Sequence, residues 1–119
     1  MAGRTLTITV DAHWQEALRH AARQAFRAER YQGETLNFES PGAFFGRLTH
    51  RRWDLLRLLQ GAGELGVREL ARRAGRDVKR VHEDLAVLAE LGLVERTEQG
   101  GVLCPFCDIH VDMHLREAV

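Results

Sequence analysis

Apolar and polar residues alternate strictly in the segment TLTITV, which ends at Val10. This period of two, carried largely by β-branched residues, predicts a strand because successive side chains of a strand point to opposite faces. After Asp11 the apolar residues recur every three or four positions. That spacing predicts a helix from about His13 to Glu29, with Asp11 as its N-cap.

Shorter patterns follow in the middle of the chain. Leu36 to Phe38 is a short strand candidate, and Ser40 followed by a proline predicts a helix from Pro41 to about Leu48. Thr49 is expected to cap a further helix. The glycines of GAGELG end that helix, because glycine disfavours a helix interior.

Two helical patterns are then joined by a tight break. The first runs from Val67 to Ala74, and the second, capped by Asp77, runs from Val78 to Leu91. Gly75 stands where a positive φ would close the first helix, and Gly92 is expected to stop the second.

The last part of the chain is expected to form strands. LVER and VLCP are short strand candidates joined by TEQGG, a hairpin with glycine at its tip. From Asp108 the alternation resumes and predicts a half-buried strand of about eight residues, whose apolar face includes Leu115. The whole order predicts an α+β fold. A winged helix-turn-helix with the C-terminal strand occupies residues 46–119, and a strand–helix extension for dimerisation or partner binding occupies residues 1–45.

Residue spacing across the break supports the helix-turn-helix interpretation. Ala71 is small enough for close helix approach, Gly75 lies four residues on at the turn, and Val81 points back at the first helix. Asp84 departs from the pattern, since an apolar residue is common at that position. We expect the leucines that follow Asp84 to provide the packing instead.

The charged residues are distributed unevenly along the chain. A net charge of zero argues against a uniformly basic nucleic-acid binder. The stretch from Arg68 to Arg80, however, holds six basic and two acidic residues, which indicates a local DNA-binding patch. No apolar run is long enough to span a membrane and no signal peptide is visible, so we expect a cytoplasmic protein.

A helix over residues 78–91 in the major groove would present its N-terminal exposed residues to the bases. Arginine suits bidentate contact with guanine, and lysine suits phosphate oxygens. The end of the preceding helix and the hairpin would add backbone or minor-groove contacts. The predicted DNA-binding residues are Arg72, Arg73, Arg76, Lys79, Arg80, His82, Arg96 and Gln99.

The segments LTHRRWDLLRLLQ, VRELARRAGRDVKRVHEDLAVLAELGLVER and IHVDMHL resemble a family of prokaryotic predicted transcriptional regulators, loosely similar to the MarR and ArsR groups. The similarity covers residues 36–119 well and the first 35 loosely. It implies a winged helix with Lys79, Arg80 and His82 in the recognition helix. Such relatives often accompany small toxin genes, which implies an antitoxin role with autorepression. The two cysteines are not part of the family pattern.

The segment CPFCDIHVDMHL supports a competing interpretation as a metal site. Cys104, Cys107 and His110 are ligand types that zinc prefers, but a strand would hold His114 about 13 Å from His110, too far to share one ion. A single Cys pair is also a weak zinc signal. We therefore expect no cofactor, with zinc on Cys104, Cys107 and His110 as the alternative. The strand from Asp108 would then dock on the first strand or across a dimer.

No catalytic arrangement stands out, because no glycine-rich phosphate loop follows a strand and the single serine, Ser40, stands at a helix cap. The sequence thus predicts a non-enzymatic, sequence-specific regulator. It would bind double-stranded DNA as a homodimer and repress its own operon. The alternatives are an antitoxin that binds a cognate toxin, and a metal or thiol sensor that uses Cys104 and Cys107.

Overall fold

The computed structural model describes residues 3–13, 19 and 33–115. The predicted helix from about His13 to Glu29 lies outside the described residues, except for His13 and Arg19. Along the chain the described elements are β1 (Arg4–Val10), β2 (Glu34–Phe38), α1 (Pro41–Arg47), α2 (His50–Leu59), β3 (Leu65–Gly66), α3 (Val67–Ala74), α4 (Val78–Glu90), β4 (Glu95–Arg96), β5 (Gly101–Leu103) and β6 (Phe106–Asp112). The fold is a mixture of helices and strands, as the α+β prediction requires. Across these ranges, no helix has the length and apolar character needed to cross a membrane.

The chain divides into two compact units. The first unit comprises Met1–Gly46 and Asp108–Val119, and the second unit comprises Arg47–Cys107. In the first unit the sheet order is β2–β1–β6, and β1 and β2 are parallel, with Leu6 opposite Glu34 and Val10 opposite Phe38. The alternating strand predicted at the N-terminus is confirmed: Leu6 and Ile8 are buried, whereas Thr7 between them and the flanking threonines are only half-buried.

The C-terminal strand β6 joins this first sheet beside β1. The residues from Asp108 onwards therefore belong to the same unit as the N-terminal strands, whereas the sequence-based division placed them with residues 46–107. The strand begins at Phe106, two residues earlier than predicted, and its alternation of exposure runs through Val111. Leu115, expected on the apolar face, lies beyond the end of the strand and is fully exposed.

Polar side chains begin the helices where the sequence predicts them. The Thr49 hydroxyl accepts a hydrogen bond from the Arg52 amide at 3.4 Å, and the Asp77 carboxylate accepts one from the Arg80 amide at 3.3 Å. Each cap satisfies a backbone donor that has no partner inside its helix. The core of the second unit lies between α2, α3 and α4, and its fully buried helical side chains are Leu55, Leu59, Leu70, Val81, Leu85 and Leu88.

Glycines in the left-handed region end both α3 and α4. Gly75 has φ 66° and ψ 37°, and the next residue, Arg76, donates its amide to the Ala71 carbonyl at 3.0 Å. Gly92 has φ 80°, and the next residue, Leu93, likewise donates a hydrogen bond from its amide to the Leu88 carbonyl at 2.9 Å. Both predicted stops are confirmed, and the turn after Gly75 directs the chain back into α4.

A second sheet, with order β3–β5–β4, follows the helices and is antiparallel. Its β4–β5 hairpin closes through a hydrogen bond from the Gly100 amide to the Thr97 carbonyl at 3.1 Å, with Gly100 at φ 84°. The predicted glycine-tipped hairpin is thus confirmed. Strand β3 is absent from the sequence prediction, because two residues beside a glycine-rich stretch carry no periodic signal.

Substituting Gly75 with alanine should destabilise the protein through its backbone alone. No atom lies within 4 Å of the added Cβ, so the cost comes from the left-handed conformation, about 1–2 kcal/mol. Urea unfolding of Gly75→Ala measures this cost. Gly46→Ala, placed in the ordinary backbone of α1 with equally open space, is the matched control and should lose nothing. Equal stability of Gly75→Ala and the parent chain would show that Gly75 does not impose the turn.

Candidate nucleic-acid interface

Helix α4 has two chemically different faces. Val81, Leu85 and Leu88 are completely buried on one side. The opposite side is exposed and carries Lys79, Arg80, His82, Glu83 and Ala86. The helix is therefore anchored by leucine and valine packing, and its polar face is free to meet another molecule. An α-helix with side chains is about 10–12 Å in diameter, close to the width of the DNA major groove.

Apart from the favourable N-cap carboxylate of Asp77, the charges near the two ends of α4 run against its dipole. Its first turn holds Lys79 and Arg80 and no acidic residue, and its last turn holds Glu90 and no basic residue. Cations near a helix N-terminus are unfavourable by about 0.3–1 kcal/mol each. Within residues 3–13, 19 and 33–115, Lys79 and Arg80 form no ion pair that would offset this cost. Helix stability therefore does not explain why these two cations lie here.

Arg72 and Arg73, in the last turn of α3, both pair with Glu69 on the same helix. The hydrogen bonds from Arg72 and then Arg73 lower the pKa of the Glu69 carboxyl to about 2, despite a small opposing effect of burial. The same Glu69 contact raises the pKa of Arg72. Both arginines remain exposed, with 72% and 43% of their side-chain surface accessible, so they are within reach of a ligand while paired.

Arg76 is largely buried, whereas the other DNA-binding residues predicted from the sequence are exposed. Only 14% of its side chain is accessible, and its Nη2 donates to the Asp84 carboxylate at 2.6 Å. The closure after Gly75 turns the Arg76 side chain towards α4 instead of towards solvent. We therefore correct its role from a base or phosphate contact to a residue that positions α4.

Asp84 is the centre of an ionic cluster, here named the Asp84 cluster, formed with Arg52 and Arg76. Arg52 donates its Nε to the second carboxylate oxygen at 2.9 Å and its Nη1 to the Arg47 carbonyl at 2.7 Å. Burial alone would raise the pKa of Asp84, but the hydrogen bonds and charges of Arg76 and Arg52 outweigh it and lower the pKa. The cluster joins α2, the α3–α4 turn and α4 in the second unit.

The hairpin places the remaining predicted contacts at the surface. Arg96 on β4 and Gln99 in the turn are both exposed. The Thr97 hydroxyl donates to the Glu64 carboxylate at 2.9 Å and accepts from the Gly101 amide at 2.9 Å. A Cβ at Gly101 would lie 2.5 Å from a Glu64 oxygen, so a larger residue there would displace the Glu64 side chain from its present position. This anchor was not predicted from the sequence, because Glu64 and Thr97 are 33 residues apart.

The predicted metal ligands do not form a group. Cys107 and His110 are both exposed in strand β6, three residues apart. Cys104 is half-buried, its Sγ donates to the Phe106 carbonyl at 3.6 Å, and burial raises its pKa. A raised pKa keeps the thiol protonated, which is unfavourable for metal binding and for redox chemistry. Among the described residues, no three His, Cys, Asp or Glu side chains are grouped so that they could hold a metal ion.

Replacing Asp84 with asparagine should destabilise the protein in a pH-dependent manner. The variant leaves two arginines without a charged partner, one of them largely buried, at a cost of about 1–3 kcal/mol at pH 7. Because the folded-state pKa of Asp84 is lowered, its contribution is complete above the ordinary carboxyl range near pH 4 and is lost as the pH falls through the lowered value. The stability difference between the parent and Asp84→Asn should therefore shrink on acidification, as measured by urea unfolding at several pH values.

Asp54→Asn is the control for that series. Asp54 is 44% exposed and, among the described residues, its one ion pair is with the exposed His50 on its own helix, at 3.4 Å, so its loss should change stability little. A pH-independent difference between the parent and Asp84→Asn would contradict the ionic role of the cluster.

Comparison with known proteins gives one family. The family model HVO_A0114 matches residues 47–111, which is more than half of the chain and includes all of α2, α3, α4 and the hairpin. The chain therefore belongs to the HVO_A0114 family. No curated protein and no solved structure gives a significant match.

Proposed function

We propose that this member of the HVO_A0114 family is a winged helix-turn-helix regulator that binds double-stranded DNA by inserting α4 into the major groove. The observation that carries the proposal is the pair of exposed cations, Lys79 and Arg80, in the first turn of a helix that has no stabilising use for them. A polyanionic partner supplies the missing counter-charge. DNA carries one phosphate charge about every 1.7 Å of helix axis and meets that need.

The order of elements supports this proposal. Helices α3 and α4 are joined by the three residues from Gly75 to Asp77, and an antiparallel hairpin follows α4. The same order characterises winged helix-turn-helix proteins, whose second helix of the pair reads the major groove and whose hairpin lies beside it. The family match, over residues 47–111, covers these elements together with α2, β3 and most of β6.

Each exposed residue has a role that its chemistry suits. Arg80 matches the two acceptors of guanine, and Lys79 provides a point charge for a phosphate. His82 and Glu83 reach base edges further along α4, while the small Ala86 lets the helix approach the groove floor closely. Arg72 and Arg73 contact phosphates, and Glu69 competes for them. In the hairpin, Arg96 and Gln99 contact the backbone or the minor groove.

The Asp84 cluster supports base reading indirectly. A recognition helix that shifts by an ångström loses its bidentate contacts, because hydrogen bonds weaken steeply outside their preferred distances and angles. Arg52 on α2 and Arg76 in the turn hold Asp84 from two directions, at 2.9 and 2.6 Å. We assign these residues to positioning and not to DNA contact.

The homodimer, the autorepression and the cytoplasmic location remain parts of this proposal. One helix offers few base contacts, and proteins of this architecture usually gain affinity by reading two half-sites as a dimer. Binding of a cognate toxin stays a prediction from the sequence resemblance, and none of the described contacts favours it over DNA binding.

Arg80→Gln should weaken DNA binding by about 1–3 kcal/mol and reduce the preference for guanine at the contacted base pair. Fluorescence anisotropy with labelled duplexes that differ at single base pairs measures both quantities. Arg47→Gln is the matched control. Arg47 pairs with Glu90 at the far end of α4, roughly 18 Å from Val78 at 1.5 Å per residue, so its loss should not affect binding. Equal losses in both variants would contradict the assignment of the DNA-binding end.

The double substitution Lys79→Gln with Arg80→Gln should leave the free energy of unfolding unchanged or higher, since it removes two cations from a helix N-terminus. Thermal and urea unfolding measure this directly. A loss of more than about 1 kcal/mol would show that the two side chains stabilise the fold, and the functional explanation of their position would fail.

A further inference from the structure

A cleft of about 390 Å³ lies between α2 and the end of α3 with its turn, in the second unit. Its volume falls within the range of small-molecule sites, roughly 300–1,000 Å³. The cleft is separate in composition from the exposed face of α4, because neither Lys79 nor Arg80 lines it.

The walls are strongly basic. Arg51, Arg57, Arg73 and Arg76 line the cleft together with a single acidic residue, Asp54. Asp54 already pairs with His50 at 3.4 Å, and Arg73 pairs with Glu69 at 3.0 Å. Among the described residues, Arg51 and Arg57 have no ion pair, so an excess of positive charge remains at the entrance.

Arg76 has two hydrogen-bond donors that lack an acceptor among the described residues. Its Nη2 bonds to Asp84, but its Nε and Nη1 are buried and have no hydrogen-bond partner within the described part of the chain. A buried donor without a partner costs about 1–3 kcal/mol. An acidic group bound beside Arg76 would supply acceptors for a guanidinium that the protein leaves partly unsatisfied.

The rest of the lining is apolar. Leu58 and Ala74 are half-buried and lie in the cleft wall, with the fully buried Leu55 behind them. A bare inorganic anion would leave this surface uncovered, whereas an aromatic or aliphatic body would remove it from water. Burial of apolar area contributes about 25 cal/mol per Å².

We propose that this cleft binds a small organic anion, with its acidic group held by the arginines and its apolar body packed on Leu58 and Ala74. Because the bound acid would compete with Asp84 for Arg76, it should alter the position of α4 and lower the affinity for DNA. This last consequence rests on the proposed function. Binding of the anion itself does not.

The test is calorimetric titration of the full chain with three probes: 2-naphthoate, its neutral analogue 2-naphthamide, and inorganic phosphate. We expect 2-naphthoate to bind one site with a dissociation constant of about 1 mM or tighter. The amide lacks the charge and phosphate lacks the apolar body, so each should bind at least about tenfold more weakly, a difference of about 1.4 kcal/mol.

Two variants locate the site. Arg57→Gln should weaken 2-naphthoate binding through the charge, and Leu58→Ser should weaken it through the apolar contact. Arg47→Gln, which removes an arginine outside the cleft, should leave it unchanged. Circular dichroism and urea unfolding confirm that each variant is folded before titration, and Arg51→Gln replaces any variant that is not.

Three results would overturn the proposal. The first is the absence of 2-naphthoate binding to the parent chain. The second is phosphate binding as tight as that of 2-naphthoate. The third is a loss of DNA binding in Arg57→Gln as large as in Arg80→Gln while 2-naphthoate binding by that variant is unchanged, which would make the cleft a binding site for a DNA phosphate. If the parent chain binds 2-naphthoate but does not bind DNA, the result would reject the proposed function and leave the anion site intact.

Discussion

The carboxylate of Asp84, held between Arg52 and Arg76, is the interaction on which the geometry of the second unit depends. It brings together α2, the α3–α4 turn and α4 through two charge-assisted hydrogen bonds of 2.9 and 2.6 Å. Taking three charged groups partly out of water costs free energy that such bonds only roughly repay. A leucine at this position would pack without that cost. We infer that the cluster is retained because directional hydrogen bonds define one orientation of α4, which apolar packing alone does not.

Local signals in the sequence predicted most of the elements. The caps at Thr49 and Asp77 and the stops at Gly75 and Gly92 depend on residues within one helical turn, and each is confirmed. The hairpin likewise depends on glycine within a five-residue turn. Contacts between distant residues were not predictable in the same way. The sequence left the partner of the strand from Asp108 open between the first strand and a second subunit, and the structure has β6 beside β1. The anchor from Glu64 to Thr97 joins residues far apart along the chain, and no periodicity encodes it.

The site shows the same division. Exposure of Lys79, Arg80 and His82 follows from helical periodicity, since Val81 and Leu85 must face the core. Arg76 was misassigned from the sequence, because its charge and its place beside the predicted recognition helix suggested solvent exposure. The misplaced acid at Asp84 was visible in the sequence as an exception to the apolar pattern. An acid at a core position requires a basic partner, and the two helical elements that pack on α4 were the places to seek it.

The DNA-binding role proposed for α4 opposes the stability of the helix. Apart from the favourable cap by Asp77, two cations in its first turn and an acid in its last turn work against the helix dipole, and the buried leucine and valine face compensates for them. The most direct test is nuclear magnetic resonance of the labelled chain with a short mixed-sequence DNA duplex at low salt. The account predicts amide shifts concentrated at Lys79 to Glu83 and at Arg96 to Gln99, which reverse on adding salt. Shifts confined to other parts of the chain, or no shifts at all, would contradict it.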